Sequence, residues 1–381
     1  MSHRSPISGL PLQPDTPWSL TDGRGERWPV VDGIVYLRVK RDALVRDALA
    51  RLDAGRSDEA LILLLADQDD MWGGEKADPE RLRALVRDRD RLSFREAMDH
   101  LGFNGCGVYN AHRWSDPTFL AGLALLEAHW PDPAPRTAFE LACGAGHYLR
   151  ELCRRGVQAT GADLVFSKLW LARHWIAGEG PTLVCFDPAA PWPTGRDTYD
   201  LVLCQDAFYF GDRKPAVVEA LRALAGSGWV AVGHVRNADW PGLCQRAGVK
   251  AADIEKLFPR GVVYDDAELT RALVEARAPQ PAVLRDLSRV QAFSLVFGPG
   301  LHCTPHPVTS GLSVPPDGVP LRRNPLYKGT LIQWPTDRYR NDFQPRVTYP
   351  LRTDAPEAAV CCPAVAQAAR RRELVDLPER W

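Results

Sequence analysis

The sequence has no excess of either charge and no long apolar run. Lysine and arginine number 47 and aspartate and glutamate 48, giving a formal net charge of -1. No overall basic field therefore exists to attract nucleic acid or an anionic membrane. Apolar runs such as residues 61–66 stop well short of the roughly 18 residues that a membrane span needs. We expect no membrane segment, and a polyanionic ligand such as nucleic acid is disfavoured.

The nine cysteines are an odd number and include no CxxC pair. Several lie in apolar, strand-like segments, where cysteine behaves as a small hydrophobic residue. These features favour a reducing compartment, so we expect a cytoplasmic protein without a cysteine-based zinc site. His302, Cys303 and His306 have the closest spacing to a metal site, but prolines interrupt this stretch. We therefore predict no metal ligand.

Composition and the local pattern of apolar and polar residues divide the 381 residues into four segments. A chain of this length predicts more than one structural unit. Residues 1–27 hold four prolines and no periodicity, which predicts a flexible arm. Residues 28–130 begin with a hairpin pattern and continue with helical patterns, which predicts a mainly α-helical cap or substrate domain. Residues 131–298 form an α/β core, and the Pro-rich residues 299–381 form a wrapping extension.

Two helix starts within the helical segment carry clear capping signals. Ser93 and Glu96 have the spacing of a capping box, and Asp116 followed by Pro117 has the pattern of an N-cap with proline in the first turn. The first pattern predicts a helix from about residue 94, and the second a helix from about residue 117.

Short apolar strands alternate with helical patterns after residue 136. This spacing is typical of βαβ units, so it predicts a mostly parallel sheet with helices on both faces. A final strand pair is expected near the end of the core. The predicted strands cover residues 138–143, 159–164, 182–186, 201–204 and 229–235, and the final pair covers 282–287 and 290–297.

A strand, two glycines and a helix follow one another around Gly144 and Gly146. Glycines allow the backbone to approach a ligand, and a helix amino terminus offers free N–H groups, so the pattern predicts a nucleotide-like ligand. A P-loop is excluded because no Lys followed by Ser or Thr comes after the glycines. The dinucleotide fingerprint fits only in part, because Leu149 occupies its third glycine position.

Acidic residues lie at or near the ends of three successive predicted strands. Glu140, Asp163 and Asp187 would all lie at the carboxyl edge of a parallel sheet, where open α/β folds bind ligands. Three carboxylates would repel the pyrophosphate of a nicotinamide dinucleotide. They suit a ligand with a sulfonium, an amino group, a ribose and an adenine. The residues therefore favour S-adenosylmethionine.

Residues 137–235 resemble the core of the class I (Rossmann-like) S-adenosylmethionine-dependent methyltransferases. The segment Glu-Leu-Ala-Cys-Gly-Ala-Gly at 140–146 is similar to the first motif of that family, with Ala142 where many members have glycine. The segment Tyr-Asp-Leu-Val-Leu-Cys-Gln-Asp at 199–206 resembles the motif of the fourth strand. The resemblance implies an α/β fold with a mostly parallel, seven-stranded sheet between helices, methyltransferase activity, and S-adenosylmethionine as cofactor.

The same resemblance implies which residues bind the cofactor. Glu140 and the loop after it would contact the methionine part, Asp163 the ribose, and Asp187 the adenine amino group. Arg113 lies in a segment that in this family often folds over the cofactor, and it could bind the cofactor carboxylate. The alternative is a solvated arginine on the surface. The complete predicted set is Arg113, Glu140, Ala142, Cys143, Gly144, Gly146, Asp163, Leu164, Phe186, Asp187 and Gln205.

The acceptor side is less determined by the sequence. Asp206 and Tyr209 follow the fourth predicted strand, and His234 lies at the end of the fifth. We treat all three as candidate catalytic residues. His234 would be a general base or an acceptor-positioning group, with a hydrogen-bonded structural histidine as the alternative. We expect a small-molecule acceptor, for example a natural product or other secondary metabolite, and a homo-oligomer is an option. The alternatives are an RNA or protein methyltransferase, an NAD-dependent oxidoreductase and a non-catalytic partner protein of the same fold.

Overall fold

The computed structural model describes residues 3–69, 77–195, 197–241, 247–302, 304–309 and 311–381. Sixteen strands and thirteen α-helices lie in these ranges. Up to residue 128 they are β1 (Gln13–Thr16), β2 (Ser19–Thr21), β3 (Arg27–Val31), β4 (Ile34–Tyr36), α1 (Asp42–Asp53), α2 (Ser57–Leu65), α3 (Pro79–Asp88), α4 (Phe94–His100), α5 (Asn104–Ala111) and α6 (Pro117–Ala128).

The central part of the chain contains the alternating strands and helices. Its elements are β5 (Thr137–Leu141), α7 (His147–Arg154), β6 (Gln158–Asp163), α8 (Phe166–Leu171), β7 (Thr182–Cys185), β8 (Leu201–Gln205), α9 (Lys214–Ala225), β9 (Trp229–Arg236), α10 (Ile254–Leu257), β10 (Val262–Asp265), α11 (Asp266–Glu275) and β11 (Ala292–Phe297). The last part contains β12 (Pro320–Arg323), β13 (Tyr327–Lys328), β14 (Leu331–Ile332), α12 (Asp337–Phe343), β15 (Ala358–Val360), α13 (Ala366–Arg370) and β16 (Leu374–Val375). β5 to β9 confirm the five predicted core strands.

The chain divides into two compact units. The first consists of Met1–Gly107, Thr137–Tyr199 and Glu379–Trp381, and the second of Val108–Arg136 and Asp200–Pro378. The four segments expected from composition, 1–27, 28–130, 131–298 and 299–381, stay a prediction. Among the described residues, no helix combines the length and apolarity needed to cross a membrane.

The first unit contains seven strands in the order β1-β2-β3-β4-β7-β6-β5. β4, β7, β6 and β5 run parallel, whereas β1 to β4 form an antiparallel meander. The predicted hairpin is confirmed, since β3 and β4 pair with Val31 opposite Ile34. The capping box is also confirmed, because Ser93 and Glu96 bond to each other's backbone N–H at the start of α4. The meander therefore adds strands to the parallel part of the sheet.

Helix α7 packs closely on β6 because β6 carries a glycine at the contact. Leu149 and Leu152 of α7 are fully buried. A Cβ placed on Gly161 would collide with the Leu149 side chain and lie 2.9 Å from the Cys143 Sγ atom. In the dinucleotide fingerprint a glycine on the helix side permits such packing. Here the glycine is on the strand, which explains how Leu149 is accommodated.

A Gly161→Val substitution should destabilise the first unit, because the added side chain overpacks this contact. We expect the free energy of unfolding to fall by about 1–3 kcal/mol. Urea denaturation measures it. Gly105→Ala is the matched control: Gly105 lies in α5, and a Cβ placed on it would meet no heavy atom of the described residues within 4 Å. An equal loss in both variants would contradict the packing explanation.

The second unit contains the strands β8-β9-β11-β10 in that order. β8 and β9 are parallel, and β11 is antiparallel to both β9 and β10. The prediction of a strand over 282–287 was wrong: Leu284–Arg289 is a 3₁₀-helix, and β11 pairs instead with β10. Apolar residues at 284, 287 and 290 recur every three positions, which is the 3₁₀ period.

Helix α6 and the last eighty residues complete the second unit. The predicted N-cap is confirmed, because the Asp116 side chain accepts a hydrogen bond from the Thr118 N–H, with Pro117 in the first turn. α6 is buried along its whole length and packs on β9, β11 and α11. The Glu127 carboxylate of α6 accepts hydrogen bonds from the backbone N–H and the hydroxyl of Ser313. Residues after β11 therefore pack on α6 through a buried polar contact.

Candidate functional site

The loop from β5 to α7 has an unusual backbone. Ala142, Gly144 and Gly146 have φ angles of 56°, 57° and 81°. This left-handed region costs a non-glycine residue roughly 1–2 kcal/mol, whereas glycine adopts it freely. Ala142 is thus a position where glycine would be less strained. A Cβ at Gly144 would meet no heavy atom of the described residues within 4 Å, so the loop backbone is open to a ligand.

Asp163, at the end of β6, holds this loop in place. Its carboxylate is buried and accepts a hydrogen bond from the Gly144 N–H at 2.9 Å and another from the Val165 N–H at 2.9 Å. Backbone N–H groups that donate to a carboxylate form strong, charge-assisted bonds. The sequence predicted Asp163 only as a ligand of the ribose. The structure adds that it fixes the glycine loop to the adjacent strand end.

Glu140 and Cys143 are both buried beside this loop. Burial raises the pKa of the Cys143 thiol well above its usual value, and the Glu140 and Asp163 carboxylates raise it further. The thiol therefore stays protonated at neutral pH and is unsuited to act as a nucleophile. The loop lies between two carboxylates, which suits a cationic ligand.

The end of β7 lies next to the end of β6. The Phe186 N–H donates to the Asp163 carbonyl at 3.1 Å, and the Cys185 thiol donates to the Leu164 carbonyl at 3.4 Å. Asp187 is partly exposed, and its Oδ1 atom accepts a hydrogen bond from the Ala189 N–H at 2.7 Å. The first unit thus brings together Glu140, Asp163, Leu164, Phe186, Asp187 and the glycine loop at the carboxyl edge of its parallel strands.

Gln205 ends β8 in the second unit, and its side chain lies over the neighbouring strand. It is buried, and a Cβ on Gly233 of β9 would collide with its amide group. A side chain at position 233 would therefore force the Gln205 amide group to move. The Nε2 atom of Gln205 donates to the Ala231 carbonyl at 3.4 Å.

Asp206, the next residue, is the centre of a polar cluster in the second unit. Its carboxylate accepts a hydrogen bond from the Tyr209 hydroxyl at 2.6 Å and one from Arg113 Nη1 at 3.0 Å. Arg113 Nη1 also donates to Asp116 at 2.7 Å. The Arg236 guanidinium lies 4.7 Å from the centre of the Tyr209 ring. Sequence reasoning selected Asp206, Tyr209 and Arg113, but it missed that they contact one another.

The contacts of Asp206 set its ionisation. Burial alone would raise its pKa, but the charges of Arg113 and His234 and the bond from Tyr209 lower the pKa below its usual value. The Tyr209 hydroxyl is affected in the opposite sense, since burial and the Asp206 carboxylate raise its pKa. Near neutral pH, Asp206 is a carboxylate and Tyr209 a neutral phenol that donates to it.

His234, near the end of β9, is held by two residues that the sequence did not indicate. Its Nδ1 atom lies 2.7 Å from Asp266 Oδ2, and its backbone N–H donates to the Ser294 hydroxyl at 3.0 Å. The Ser294 hydroxyl in turn donates to Asp266 Oδ1 at 2.6 Å. A carboxylate on Nδ1 favours the tautomer with its proton on that atom and leaves Nε2 as an acceptor. Asp266 lies 32 residues away in sequence, and no local pattern pointed to it.

Asp206 and His234 are neighbours at the end of this parallel strand pair. The Asp206 N–H donates to the Gly233 carbonyl at 3.0 Å. Both residues have a left-handed backbone, with φ angles of 52° and 53°. Such strained non-glycine residues cost about 1–3 kcal/mol each and cluster at functional sites. The backbone geometry therefore supports both as candidates for function.

The two histidines considered for a metal site, His302 and His306, lie next to each other. The rings of His302 and His306 stack 4.7 Å apart at 15° to each other, and Cys303 lies outside the described residues. Within the described ranges, no group of three or more His, Cys, Asp or Glu side chains could hold a metal ion.

Part of the chain matches a known protein family. Residues 139–232 match a family model described as a methyltransferase domain. No curated protein matches the chain. Solved structures similar to it include the plantazolicin methyltransferase BpumL in complex with S-adenosylhomocysteine, with 12% identity over 57% of this chain and 98% of that chain and a TM-score of 0.37.

Two further solved structures are similar to the chain. Phosphoethanolamine N-methyltransferase 2 from Haemonchus contortus, in complex with S-adenosyl-L-methionine, is 17% identical over 54% of this chain and 59% of that chain, with a TM-score of 0.38. A TehB-like S-adenosylmethionine-dependent methyltransferase from Corynebacterium glutamicum is 15% identical over 47% of this chain and 86% of that chain, with a TM-score of 0.34.

The mostly parallel strands, the glycine loop at the end of β5 and the family match over residues 139–232 define a Rossmann-like α/β protein. The match shows that residues 139–232 are a methyltransferase domain. The predicted fold class and the predicted methyltransferase class are thereby confirmed.

Proposed function

We propose that the enzyme transfers the methyl group of S-adenosylmethionine to a small-molecule acceptor, with His234 as the general base. The observation that carries the proposal is the pairing of His234 Nδ1 with Asp266 at 2.7 Å, beside Asp206. A net charge of -1 also argues against a large anionic acceptor such as RNA. An RNA or protein acceptor is the second candidate, and the experiment below separates it from the first.

The residues that we propose to bind the cofactor lie at the strand ends of the first unit. When bound, S-adenosylmethionine supplies a methyl group on a sulfonium, which is open to in-line displacement. The buried Glu140 and the open loop at Gly144 fit its amino-acid part. We propose as its ligands Glu140, Ala142, Cys143, Gly144, Gly146, Asp163, Leu164, Phe186 and Asp187. The predicted role of Gln205, which lies in the second unit, stays a prediction.

His234 would take the proton that the acceptor loses. Asp266 holds the imidazole in one tautomer and orientation, so that Nε2 is the atom that accepts the proton. Ser294 fixes Asp266 from the other side and reduces the freedom of the pair. Asp266 is a positioning residue, because it acts through His234.

Asp206 and Tyr209 would orient the acceptor rather than take its proton. Arg113 holds Asp206 through Nη1, which supports a positioning role for this arginine. Its predicted contact with the cofactor carboxylate stays a prediction. Tyr209 is 38% exposed, so one side of its ring is open to a ligand.

The pKa of Asp206 gives a testable pH dependence. Because this pKa lies below its usual value, the carboxylate is ionised throughout the range in which the enzyme can be assayed. Asp206→Asn should therefore lower kcat/KM without moving the acid limb of the pH–rate profile. A displaced acid limb in Asp206→Asn would assign the titrating group to Asp206.

The function is tested in two stages with the purified protein. Calorimetric titration should show that S-adenosylhomocysteine binds and NADH does not. The enzyme is then incubated with methyl-tritiated S-adenosylmethionine and a cell lysate. The products are separated by a filter with a cut-off of about 1 kDa into a small-molecule and a macromolecular fraction. Label in the small-molecule fraction is expected, and its loss in a His234 variant would connect it with this site. Label only on RNA or protein would overturn the small-molecule acceptor while leaving the cofactor intact.

A further inference from the structure

Strand β4 extends the parallel strands of the first unit beside the proposed nucleoside end of the cofactor site. It pairs with β7 so that Tyr36 lies opposite Cys185, and the Leu37 N–H continues the pairing with the Cys185 carbonyl at 2.7 Å. The same register, continued along both chains, brings Arg38 level with Asp187. Arg38 therefore follows β4 at the same carboxyl edge as the residues after β7.

The Arg38 side chain is buried there, only 3% exposed. Its Nη1 atom donates to the Asp67 carboxylate and to the Gln68 carbonyl, the latter at 3.0 Å. Its Nε atom is also buried but has no hydrogen-bond partner among the described residues. A buried donor of a charged group without a partner is costly, and native structures normally provide one.

Asp67 does not need Arg38 alone to balance its charge. Arg41 Nε donates to its other oxygen at 2.9 Å, and the Tyr36 hydroxyl donates to it at 2.6 Å. Two guanidinium groups thus share one carboxylate. The two guanidinium groups carry more N–H donors than their bonds to Asp67 use. Arg38 Nε is one of these additional donors, and it is buried.

The surroundings of Arg38 place it near the ends of β6 and β7. Burial raises the pKa of the Cys185 thiol, and the nearby Arg38 charge acts against this rise. The same thiol donates to the Leu164 carbonyl at 3.4 Å. Arg38 is therefore close to the two strand ends that carry Asp163 and Asp187.

We propose that Arg38 is an additional ligand of the cofactor's nucleoside. Its Nε–H would donate to an acceptor atom of the adenosine, either a ring nitrogen or a ribose oxygen. The inference rests on the cofactor residues proposed above for the first unit. It adds a residue from outside the matched methyltransferase domain, which begins at residue 139.

The test uses ligands that share the nucleoside and differ in the amino-acid part. S-Adenosylhomocysteine and 5′-methylthioadenosine are titrated by calorimetry into the full-length wild type and into Arg38→Met, which removes the donors but keeps a long side chain. Both affinities should fall by the same factor, roughly 10- to 100-fold. Arg41→Met is the matched control, because Arg41 pairs with the same carboxylate, and both affinities should stay close to those of the wild type.

Two further variants keep the result interpretable. Arg38→Lys preserves the charge against Asp67 but lacks the Nε donor, so it should fold normally and still bind both ligands more weakly. Glu140→Gln should lower the affinity for S-adenosylhomocysteine and leave the affinity for 5′-methylthioadenosine unchanged. Wild-type affinity for both ligands in Arg38→Lys or in a folded Arg38→Met would reduce Arg38 to an ion-pair residue and overturn the inference. A wild type that binds neither ligand would instead overturn the proposed cofactor site.

Discussion

His234→Asn is expected to lower kcat by about 100- to 10,000-fold, the usual contribution of a positioned general base. Asparagine is the suitable replacement because His234 has a φ of 53°, a conformation that asparagine tolerates better than alanine. The variant removes the imidazole while keeping a small polar side chain. Single-turnover methyl transfer to the acceptor fraction identified above measures the effect.

The affinity for S-adenosylhomocysteine should not change in His234→Asn, since the proposed base does not hold the cofactor. His174→Asn is the matched control: His174 also pairs with an aspartate, its Nε2 lying 3.1 Å from Asp32, but in the first unit. It should retain wild-type turnover. If His234→Asn turned over as fast as His174→Asn, the histidine would be structural.

Asp163→Asn is expected to weaken the binding of S-adenosylhomocysteine by roughly 100-fold or more, because hydrogen bonds to a charged group are worth about 1.5–3 kcal/mol each. Both carboxylate oxygens accept backbone N–H groups, from Gly144 and from Val165. An amide can accept only one of these bonds, and its NH₂ group would face the other donor. The glycine loop would then lose its fixed geometry, and the ribose its proposed partner.

Calorimetric titration and urea denaturation should be run together on this variant, since Asp163 also supports the fold. Asp187→Asn serves as the control, because its Oδ1 atom accepts a hydrogen bond from the Ala189 N–H and an amide oxygen can keep that bond. A much smaller loss of affinity is expected there. Equal affinities in Asp163→Asn and the wild type would show that the loop does not depend on this carboxylate.

Features encoded by neighbouring residues could be predicted from the sequence. The strand before the glycine loop, the helix after it and the capping box at Ser93 all follow from patterns within a few residues. The three acidic strand ends were predictable for the same reason. β5, β6 and β7 are short apolar runs with a polar residue at or just beyond the end.

Features that depend on distant pairing could not be predicted in this way. Asp266 reaches His234 only because β10 and β11 bring the start of α11 to the end of β9. The mispredicted strand over 282–287 failed for a related reason, since the true partner of β11 lies earlier, at Val262–Asp265. The hydrogen bond from Gly144 to Asp163 likewise needs the parallel pairing of β5 with β6.

The pairing of β4 with β7 also has a consequence for synthesis of the chain. Ile34 lies opposite Leu183, so β4 leaves the ribosome about 150 residues before its parallel partner. At roughly 5–20 residues per second this delay is about 7 to 30 seconds. During that time the apolar β4 has only β3 to pair with, and its other edge is open to aggregation or to a chaperone. The parallel partner that covers this edge is complete only once residue 185 is made.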